Sequence, residues 1–322
     1  MNQTDRFIAL DGLRGIAAIA VMLFHAARAA MPGGYLAVDF FFCLSGFVIA
    51  LAFGERIAQG LSFRDFAKAR FARLYPMMVI GGLLGVLLHG GNPNILLLVP
   101  DFMGENLFPT NPPFWSLLAE VLANIAFALV LAGLPTRWLA LVAAFSGTLL
   151  AYGILVGPWP REIGSHWDGA LWAIPRTLYA FTCGMLLYRW HAQAASVRRS
   201  TAWALLLPLV LLGASYFGGT ERAMWDVLTM LLVLPGVVWA GTRFEMPFPR
   251  FWQRMGALSY PLYCIHVPLI ALAEDVSTRL AIAALLVPVA LALDAYYDRP
   301  VRSWLARRFA HRRAASISAA RA

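Results

Sequence analysis

Charged residues are scarce in this chain. Asp, Glu, Lys and Arg together make up only 13% of its 322 residues, whereas 60% are hydrophobic. A typical soluble domain is about 25% charged. Here apolar runs recur along the whole length, and the mean hydropathy is +0.67. The composition excludes an ordinary soluble domain and indicates a membrane protein that crosses the bilayer several times.

Cysteine is also rare. The chain has three cysteines, Cys43, Cys183 and Cys264, and each falls inside an apolar run. An odd number of scattered thiols is not the pattern of a disulfide framework or of a cysteine metal site. We therefore expect packing thiols and no bound metal. Long polar segments are absent as well, so any chemistry is expected to be done by the membrane domain itself.

Ten apolar segments are candidates for membrane-spanning helices, because about 20 residues are needed to cross a hydrocarbon core of about 30 Å. They are residues 13–30, 35–53, 74–91, 114–132, 138–156, 169–190, 203–217, 224–240, 256–273 and 279–297. The predicted fold is all-α, a polytopic membrane protein with about ten transmembrane helices. One domain is expected over residues 1–309, followed by a basic, disordered cytoplasmic tail over residues 310–322.

Basic residues set the expected orientation, since Lys and Arg near span ends are retained in the cytoplasm. The connections after the second, sixth and eighth segments and the tail are rich in arginine, whereas the intervening ones carry single arginines such as Arg161, Arg222 and Arg279. Both termini are thus predicted to be cytoplasmic. The net charge of +9 follows from this asymmetry and suits anionic membrane lipid, so nucleic-acid binding is not expected.

The first apolar segment has a competing interpretation as a cleaved signal peptide, with a small-residue cleavage site around Arg28. Asp5 and Asp11 oppose it, because a signal peptide begins with a basic region. We favour a membrane span that retains Arg14 and His25.

Polar residues within the apolar segments mark the candidate site. Arg14 and His25 lie about three helical turns apart in the first segment, so both project from nearly the same face. Asp39, Glu120 and Arg176 are expected at a depth similar to that of His25, in the outer half of the membrane. Isolated charges at that depth are costly, and together they predict a polar chamber. A buried Asp39–Arg176 pair that only fixes helix packing remains the alternative.

A short amphipathic stretch over residues 63–75 precedes the third segment. It carries Arg64, Lys68, Arg70 and Arg73, and its apolar residues suit an interfacial helix. Two interpretations are open on spacing alone. The stretch is either a topology anchor among lipid headgroups or a phosphate site, in which Arg70 and Arg73, one turn apart, act with Arg14 on a polyphosphate.

Six short motifs occur in a fixed order along the chain. They are LDGLRGIA at residues 10–17 with His25, VDFFFCLSGF at 38–47, RFARLYP at 70–76, WSLLAE at 115–120, Arg176 with Phe181 and Gly184, and SYPLYCIH at 259–266. Their order and spacing resemble those of the membrane-bound acyltransferases of the acyltransferase-3 family. The resemblance runs from about residue 8 to residue 305.

The resemblance implies O-acylation, chiefly O-acetylation, of a hydroxyl on a cell-envelope or exported carbohydrate. The implied donor is cytoplasmic acetyl-CoA or another acyl-CoA, with no bound cofactor, in a multi-pass protein of the bacterial inner membrane. Many family members carry an extracytoplasmic esterase-like domain, which this sequence lacks. We therefore expect direct transfer to the carbohydrate acceptor or hand-over to a separate extracytoplasmic partner.

Roles for the polar residues also follow from the resemblance. The expected catalytic residues are His25, Glu120 and Arg14. His25 would deprotonate the acceptor hydroxyl or carry the acyl group itself, and Glu120 would orient its imidazole. Arg14, Arg70 and Arg73 would bind the phosphates of the acyl-CoA. The residues expected at the oxyanion or on the acceptor side are Asp39, Ser45, Arg176, Tyr263 and His266.

Two other classes of function remain open. A proton-coupled transporter or flippase of a small anionic or glycolipid substrate would use the same charged chamber as a gate. A structural membrane subunit would need none of these side chains. The acceptor, the length of the acyl group and the oligomeric state are not set by the sequence.

Overall fold

The computed structural model describes residues 7–157, 163–191, 198–199 and 206–319, so Asp5 and Arg161 lie outside the described residues. It is almost entirely helical, as predicted. The helices are α1 (Ile8–Ala26), α2 (Ala37–Ala58), α3 (Phe63–His89), α4 (Phe114–Leu129), α5 (Thr136–Val156), α6 (Trp167–Ala170), α7 (Ala173–His191), α8 (Leu206–Gly213), α9 (Gly219–Leu228), α10 (Leu234–Gly241), α11 (Pro249–Ile270), α12 (Val276–Leu293) and α13 (Arg299–Ala319). Two very short strands, β1 (Arg198–Arg199) and β2 (Phe244–Glu245), pair in parallel.

Seven helical stretches of the described residues are long and apolar enough to cross a membrane. They are Ile8–Ala26, Gly34–Ala58, Phe63–His89, Thr136–Val156, Trp167–His191, Gly219–Gly241 and Val276–Phe309. The other three predicted segments fall on α4 and α8, which are shorter, and on α11, which carries arginine, serine and histidine side chains. A multi-pass helical fold is confirmed, whereas the number ten and the cytoplasmic termini stay predictions.

The amphipathic stretch over residues 63–75, expected to suit an interfacial helix before the third span, is continuous with that span. These residues form the first half of α3, which continues to His89. Ser62 begins the helix by accepting a hydrogen bond from the Asp65 amide, and Gly90 ends it in the left-handed conformation. Arg70 and Arg73 therefore lie on a helix that enters the bundle. The boundary expected at residue 309 falls inside α13, and the division into one domain and a tail stays a prediction.

Two helix pairs form the centre of the bundle. Helix α1 packs along α11, and α2 packs along α7. The apolar side chains between them, including Leu13, Phe40, Phe47 and Phe181, are fully buried. This pairing brings the first helix of the chain against a helix from its C-terminal part, so polar residues of α1 face polar residues of α11.

Glycines let α2 and α7 approach closely, as small residues do between membrane helices. A β-carbon on Gly46 would lie 2.0 Å from the carbonyl oxygen of Phe181, and one on Gly184 would lie 1.9 Å from that of Cys43. Neither position has room for a larger residue unless the backbones move apart.

Gly184→Ala is therefore expected to lower the free energy of unfolding by about 1–3 kcal/mol through overpacking. Gly236→Ala in α10 is the control, because no atom lies within 4 Å of the added carbon. That control should be neutral or add up to about 1 kcal/mol of helix stability. Unfolding of the solubilised protein in SDS measures both variants, and equal stability would contradict the close contact of α2 with α7.

Candidate active site

The bundle contains three cavities, of which the second borders the other two. The basic pocket, of about 510 Å³, is lined by Asp11, Arg14, Arg73, Arg250, Arg254, Asp294, Asp298, Arg299 and Arg302 with apolar neighbours. The arginine chamber, of about 140 Å³, is lined by Arg14, Ser45, Arg70, Arg73, Ser116, Glu120, Ser259, Tyr260 and Tyr263 with apolar neighbours. The histidine chamber, of about 320 Å³, is lined by His25, Arg28, Tyr35, Asn106, Trp115, Ser165, His166, Arg176 and Tyr263 with apolar neighbours.

Shared side chains join these cavities into a series. Arg14, Arg73 and Tyr260 line both the basic pocket and the arginine chamber, and Tyr263 lines both chambers. The series follows α1 from Arg14 to His25. The sequence prediction that one face of this helix presents a cation and then an imidazole to a polar interior is confirmed.

Two imidazoles meet at the histidine chamber. Nδ1 of His25 on α1 lies 3.2 Å from Nε2 of His266 on α11 and 2.9 Å from the carbonyl oxygen of Val21. His266 is completely buried. Its Nδ1 lies 3.0 Å from the carbonyl oxygen of Leu262 and 2.9 Å from that of Tyr263.

These contacts determine the tautomers of both rings. Carbonyl oxygens only accept hydrogen bonds, so Nδ1 of His266 carries a proton and its Nε2, in the neutral ring, is an acceptor. Both neighbours of His25 Nδ1 are then acceptors, which places a proton on that atom. Neutral His25 consequently carries its lone pair on Nε2. A histidine held in this tautomer is suited to take up a proton at Nε2.

Glu120 does not lie beside His25, contrary to the prediction. Its Oε1 accepts hydrogen bonds from Nη2 of Arg70 at 3.1 Å and from Oγ of Ser45 at 3.0 Å, inside the arginine chamber. The carboxylate of Glu120 contacts a cation of α3 and a hydroxyl of α2, and such contacts depend on how the helices dock rather than on depth along one helix.

The three arginines expected to bind phosphate all line the arginine chamber. Arg70 is held by Glu120, with an ion-pair distance of 3.1 Å. Arg14 donates from Nη2 to the hydroxyl of Ser259 at 3.0 Å. Arg14 and Arg73 border the basic pocket, whereas Arg70 does not. The structure therefore brings all three predicted arginines to the arginine chamber, and of these three only Arg14 and Arg73 also line the basic pocket.

Asp39 and Arg176 form a buried ion pair. Nε and Nη2 of Arg176 donate to the two carboxylate oxygens at 2.9 and 2.7 Å, and both side chains are at most 2% exposed. The guanidinium also donates to the carbonyl oxygens of Ile163 and Tyr35, and it stacks over Trp115. All three guanidinium nitrogens of Arg176 therefore donate to groups of the protein. This agrees with the alternative in which the ion pair fixes helix packing.

Tyr263 stands between the two chambers. Its hydroxyl lies 2.6 Å from Oγ of Ser116 and 3.1 Å from the carbonyl oxygen of Pro113. Ser45, predicted with it on the acceptor side, instead donates to Glu120 in the arginine chamber. Tyr263 is therefore a hydroxyl-bearing residue that lines both chambers.

A second buried ionic group supports the histidine chamber and was not predicted. Arg222 of α9, expected in a connection, is buried and donates to Asp226 at 3.0 Å. The Asp226 carboxylate also accepts the hydroxyl of Tyr35, which lines the histidine chamber. The four-residue spacing of Arg222 and Asp226 was the available sequence signal.

The described residues contain no group of three or more His, Cys, Asp or Glu side chains that could hold a metal ion. The three cysteines are free thiols, of which Cys43 and Cys264 are buried.

The chain resembles several known proteins. The sequence profile of an acyltransferase domain, that of the acyltransferase-3 family, matches residues 7–294. Protein 2 in the picA locus of Rhizobium radiobacter is 49% identical over 80 residues, which cover 24% of this chain and 42% of the relative. The peptidoglycan O-acetyltransferase OatA of Listeria monocytogenes is 38% identical over 108 residues, covering 30% of this chain and 17% of the relative.

The chain thus matches less than half the length of each of these two relatives. No solved structure matches it significantly. The family profile, in contrast, spans all the helices that build the three cavities except α13. On this match, the chain belongs to the acyltransferase-3 family.

Proposed function

We propose that the chain is a membrane-bound O-acetyltransferase. It transfers an acetyl group from cytoplasmic acetyl-CoA to a hydroxyl of a cell-envelope or exported carbohydrate, in the inner membrane of a bacterium. The observation that carries this proposal is His25, paired with His266, at a cavity that shares residues with the arginine chamber, which in turn shares residues with the basic pocket. Such an arrangement provides a proton acceptor at one end and a binding site for a charged donor at the other.

The reaction begins when the acceptor hydroxyl attacks the thioester carbon. A carbon–oxygen bond forms while His25 Nε2 takes the hydroxyl proton. The tetrahedral intermediate then collapses, the carbon–sulfur bond breaks, and the proton passes from His25 to the leaving thiolate. The products are the acetyl ester and CoA with a free thiol. Transfer through an acyl-histidine is the two-step version of the same chemistry.

The surrounding residues have supporting roles in this proposal. Tyr263, between the chambers, donates to the oxyanion of the intermediate. Arg14 and Arg73 bind the donor where the basic pocket meets the arginine chamber. Glu120 holds Arg70 in the chamber wall, and the Asp39–Arg176 pair fixes the helices around His25 rather than contacting the oxyanion.

The printed name of the Listeria relative, a peptidoglycan O-acetyltransferase, supports a cell-envelope carbohydrate as the acceptor. Polar and aromatic side chains at the histidine chamber, among them Asn106, Trp115 and His166, suit a sugar. Direct transfer to this acceptor and delivery to a separate extracytoplasmic partner use the same first chemical step.

The test of this function is the fate of labelled acetyl-CoA in membrane vesicles. Vesicles containing the wild type should release CoA thiol and incorporate label into carbohydrate, and vesicles with His25→Ala at matched protein level should do neither. His89→Gln is the matched control, because this histidine of α3 bonds the carbonyl oxygen of Pro268 and lines none of the three cavities. Substrate movement without thiol release would favour a transporter or flippase, for which the series of cavities is the supporting observation.

His266 is expected to act as a positioning residue. His266→Leu removes one acceptor from His25 Nδ1 and leaves the Val21 carbonyl, so turnover should fall about tenfold, the equivalent of one hydrogen bond of about 1.4 kcal/mol. His266→Gln restores an acceptor and should recover part of the rate. Steady-state kinetics should place the loss in kcat, with KM for acetyl-CoA unchanged. A leucine variant with wild-type kcat would refute this role.

A further inference from the structure

The basic pocket carries more positive charge than its own acids balance. Its walls contain six arginines and three aspartates, a formal excess of three positive charges. Arg302 lies 3.1 Å from Asp298, and Arg299 lies 2.5 Å from Asp294. Asp298 is shared, since Arg73 also approaches it at 3.9 Å. One ligand that carries several negative charges would balance this excess of positive charge.

The uncompensated charge is concentrated on α11. Arg250 and Arg254 have no ion pair among the described residues, and both are exposed to the pocket. They lie one turn apart near the start of the helix. Like charges at this spacing repel, and cations are disfavoured at a helix N-terminus. Both penalties disappear when an anion binds between the two guanidinium groups.

The pocket also borders the arginine chamber. It meets the arginine chamber at Arg14, Arg73 and Tyr260, and Nη1 of Arg73 is buried there without a hydrogen-bond acceptor in the described structure. A ligand that fits both cavities has a polyanionic head in the basic pocket and a thin arm that extends into the smaller chamber. CoA has this form, with phosphates at the nucleotide end and an uncharged arm ending in the thiol.

We infer that the basic pocket binds the nucleotide phosphates of CoA, with Arg250 and Arg254 as ligands that distinguish CoA from donors lacking the 3′-phosphate. This inference rests on the proposed function. It adds Arg250 and Arg254, at the start of α11, to the predicted phosphate ligands Arg14 and Arg73, and it places Arg70 outside the phosphate site. The π-helical turn before α13, which carries Asp294 and Asp298, forms part of the same pocket. A phosphate of an anionic lipid headgroup offers the same chemistry, and the experiment separates the two sources.

Binding of CoA and of dephospho-CoA should be measured by calorimetry in nanodiscs of neutral phosphatidylcholine. We expect wild type to bind CoA at least tenfold more tightly than dephospho-CoA, and Arg250→Gln/Arg254→Gln to weaken CoA binding at least tenfold and remove that preference. Arg279→Gln is the control, since this arginine bonds Ala273 beside the loop before α12 and lines none of the cavities. Turnover of acetyl-pantetheine should be equal in all three proteins.

Three outcomes would overturn the inference. If Arg250→Gln/Arg254→Gln binds CoA as tightly as the wild type does, the inference is wrong and the proposed function is unaffected. Unchanged CoA binding with weakened retention of phosphatidylglycerol, measured by native mass spectrometry, assigns the pocket to lipid. Failure of the wild type to bind CoA at all refutes the proposed donor as well. Because both arginines are exposed, the variant should keep the wild-type unfolding temperature.

Discussion

Replacing His25 with glutamine should lower turnover of acetyl-CoA by about 10²- to 10⁴-fold, the range that general-base catalysis contributes. Glutamine preserves size and hydrogen bonding but cannot take a proton from the acceptor hydroxyl. The expected loss exceeds that of His266→Leu, because His266 only orients the ring that receives the proton. The measurement is the rate of CoA thiol release under saturating donor and acceptor.

Two further measurements show whether the loss of turnover comes from the missing base alone. His89→Gln makes the same chemical change outside the cavities and should keep the wild-type rate. His25→Gln should retain CoA affinity, since the basic pocket lies near the other end of α1. A glutamine variant within a factor of about three of the wild-type rate would remove His25 from the chemistry, because a lost base costs far more.

Arg176→Met should lower the free energy of unfolding by about 3–5 kcal/mol, because it leaves Asp39 buried and unpaired. Asp39 is only 1% exposed and receives two hydrogen bonds from the guanidinium. Unfolding in SDS at constant lipid and detergent composition measures the loss. Arg137→Met, at an exposed position of α5, is the control and should change stability by less than about 0.5 kcal/mol.

The double variant Asp39→Asn/Arg176→Met distinguishes the ion pair from simple packing. Removing both charges should recover part of the stability, since no uncompensated charge remains buried. The recovery should be incomplete because the bonds to Ile163 and Tyr35 are still lost. A double variant as unstable as the sum of its single variants would show that the two charges do not interact.

The parts of the fold set by local composition were predictable from the sequence. The length of the apolar segments located the helices, and the geometry of an α-helix placed Arg14 and His25 on one face of α1. A buried pair of Asp39 with Arg176 was the alternative left open by the sequence, and the structure contains that pair. Each of these inferences depends on one helix or on the general cost of a buried charge.

The parts that depend on how helices dock were not predictable. His25 meets His266 across 241 positions of sequence, through the packing of α1 along α11. Gly15 makes that approach possible, since a β-carbon there would lie 2.4 Å from the Met255 carbonyl oxygen. Glu120 was predicted beside His25, whereas its contacts with Ser45 of α2 and Arg70 of α3 follow from the docking of α4 against those helices.

The most direct measurement is mass spectrometry of envelope and secreted carbohydrates from cells that make the wild type, His25→Ala or Glu120→Gln at matched membrane levels. The account predicts an acetyl mass increment on a carbohydrate hydroxyl with the wild type and its loss with His25→Ala. Glu120→Gln, which alters the Arg70 contact rather than the base, should retain more of the increment than His25→Ala. Carbohydrates that carry the same acetylation with wild type and with His25→Ala would contradict acyl transfer by this site.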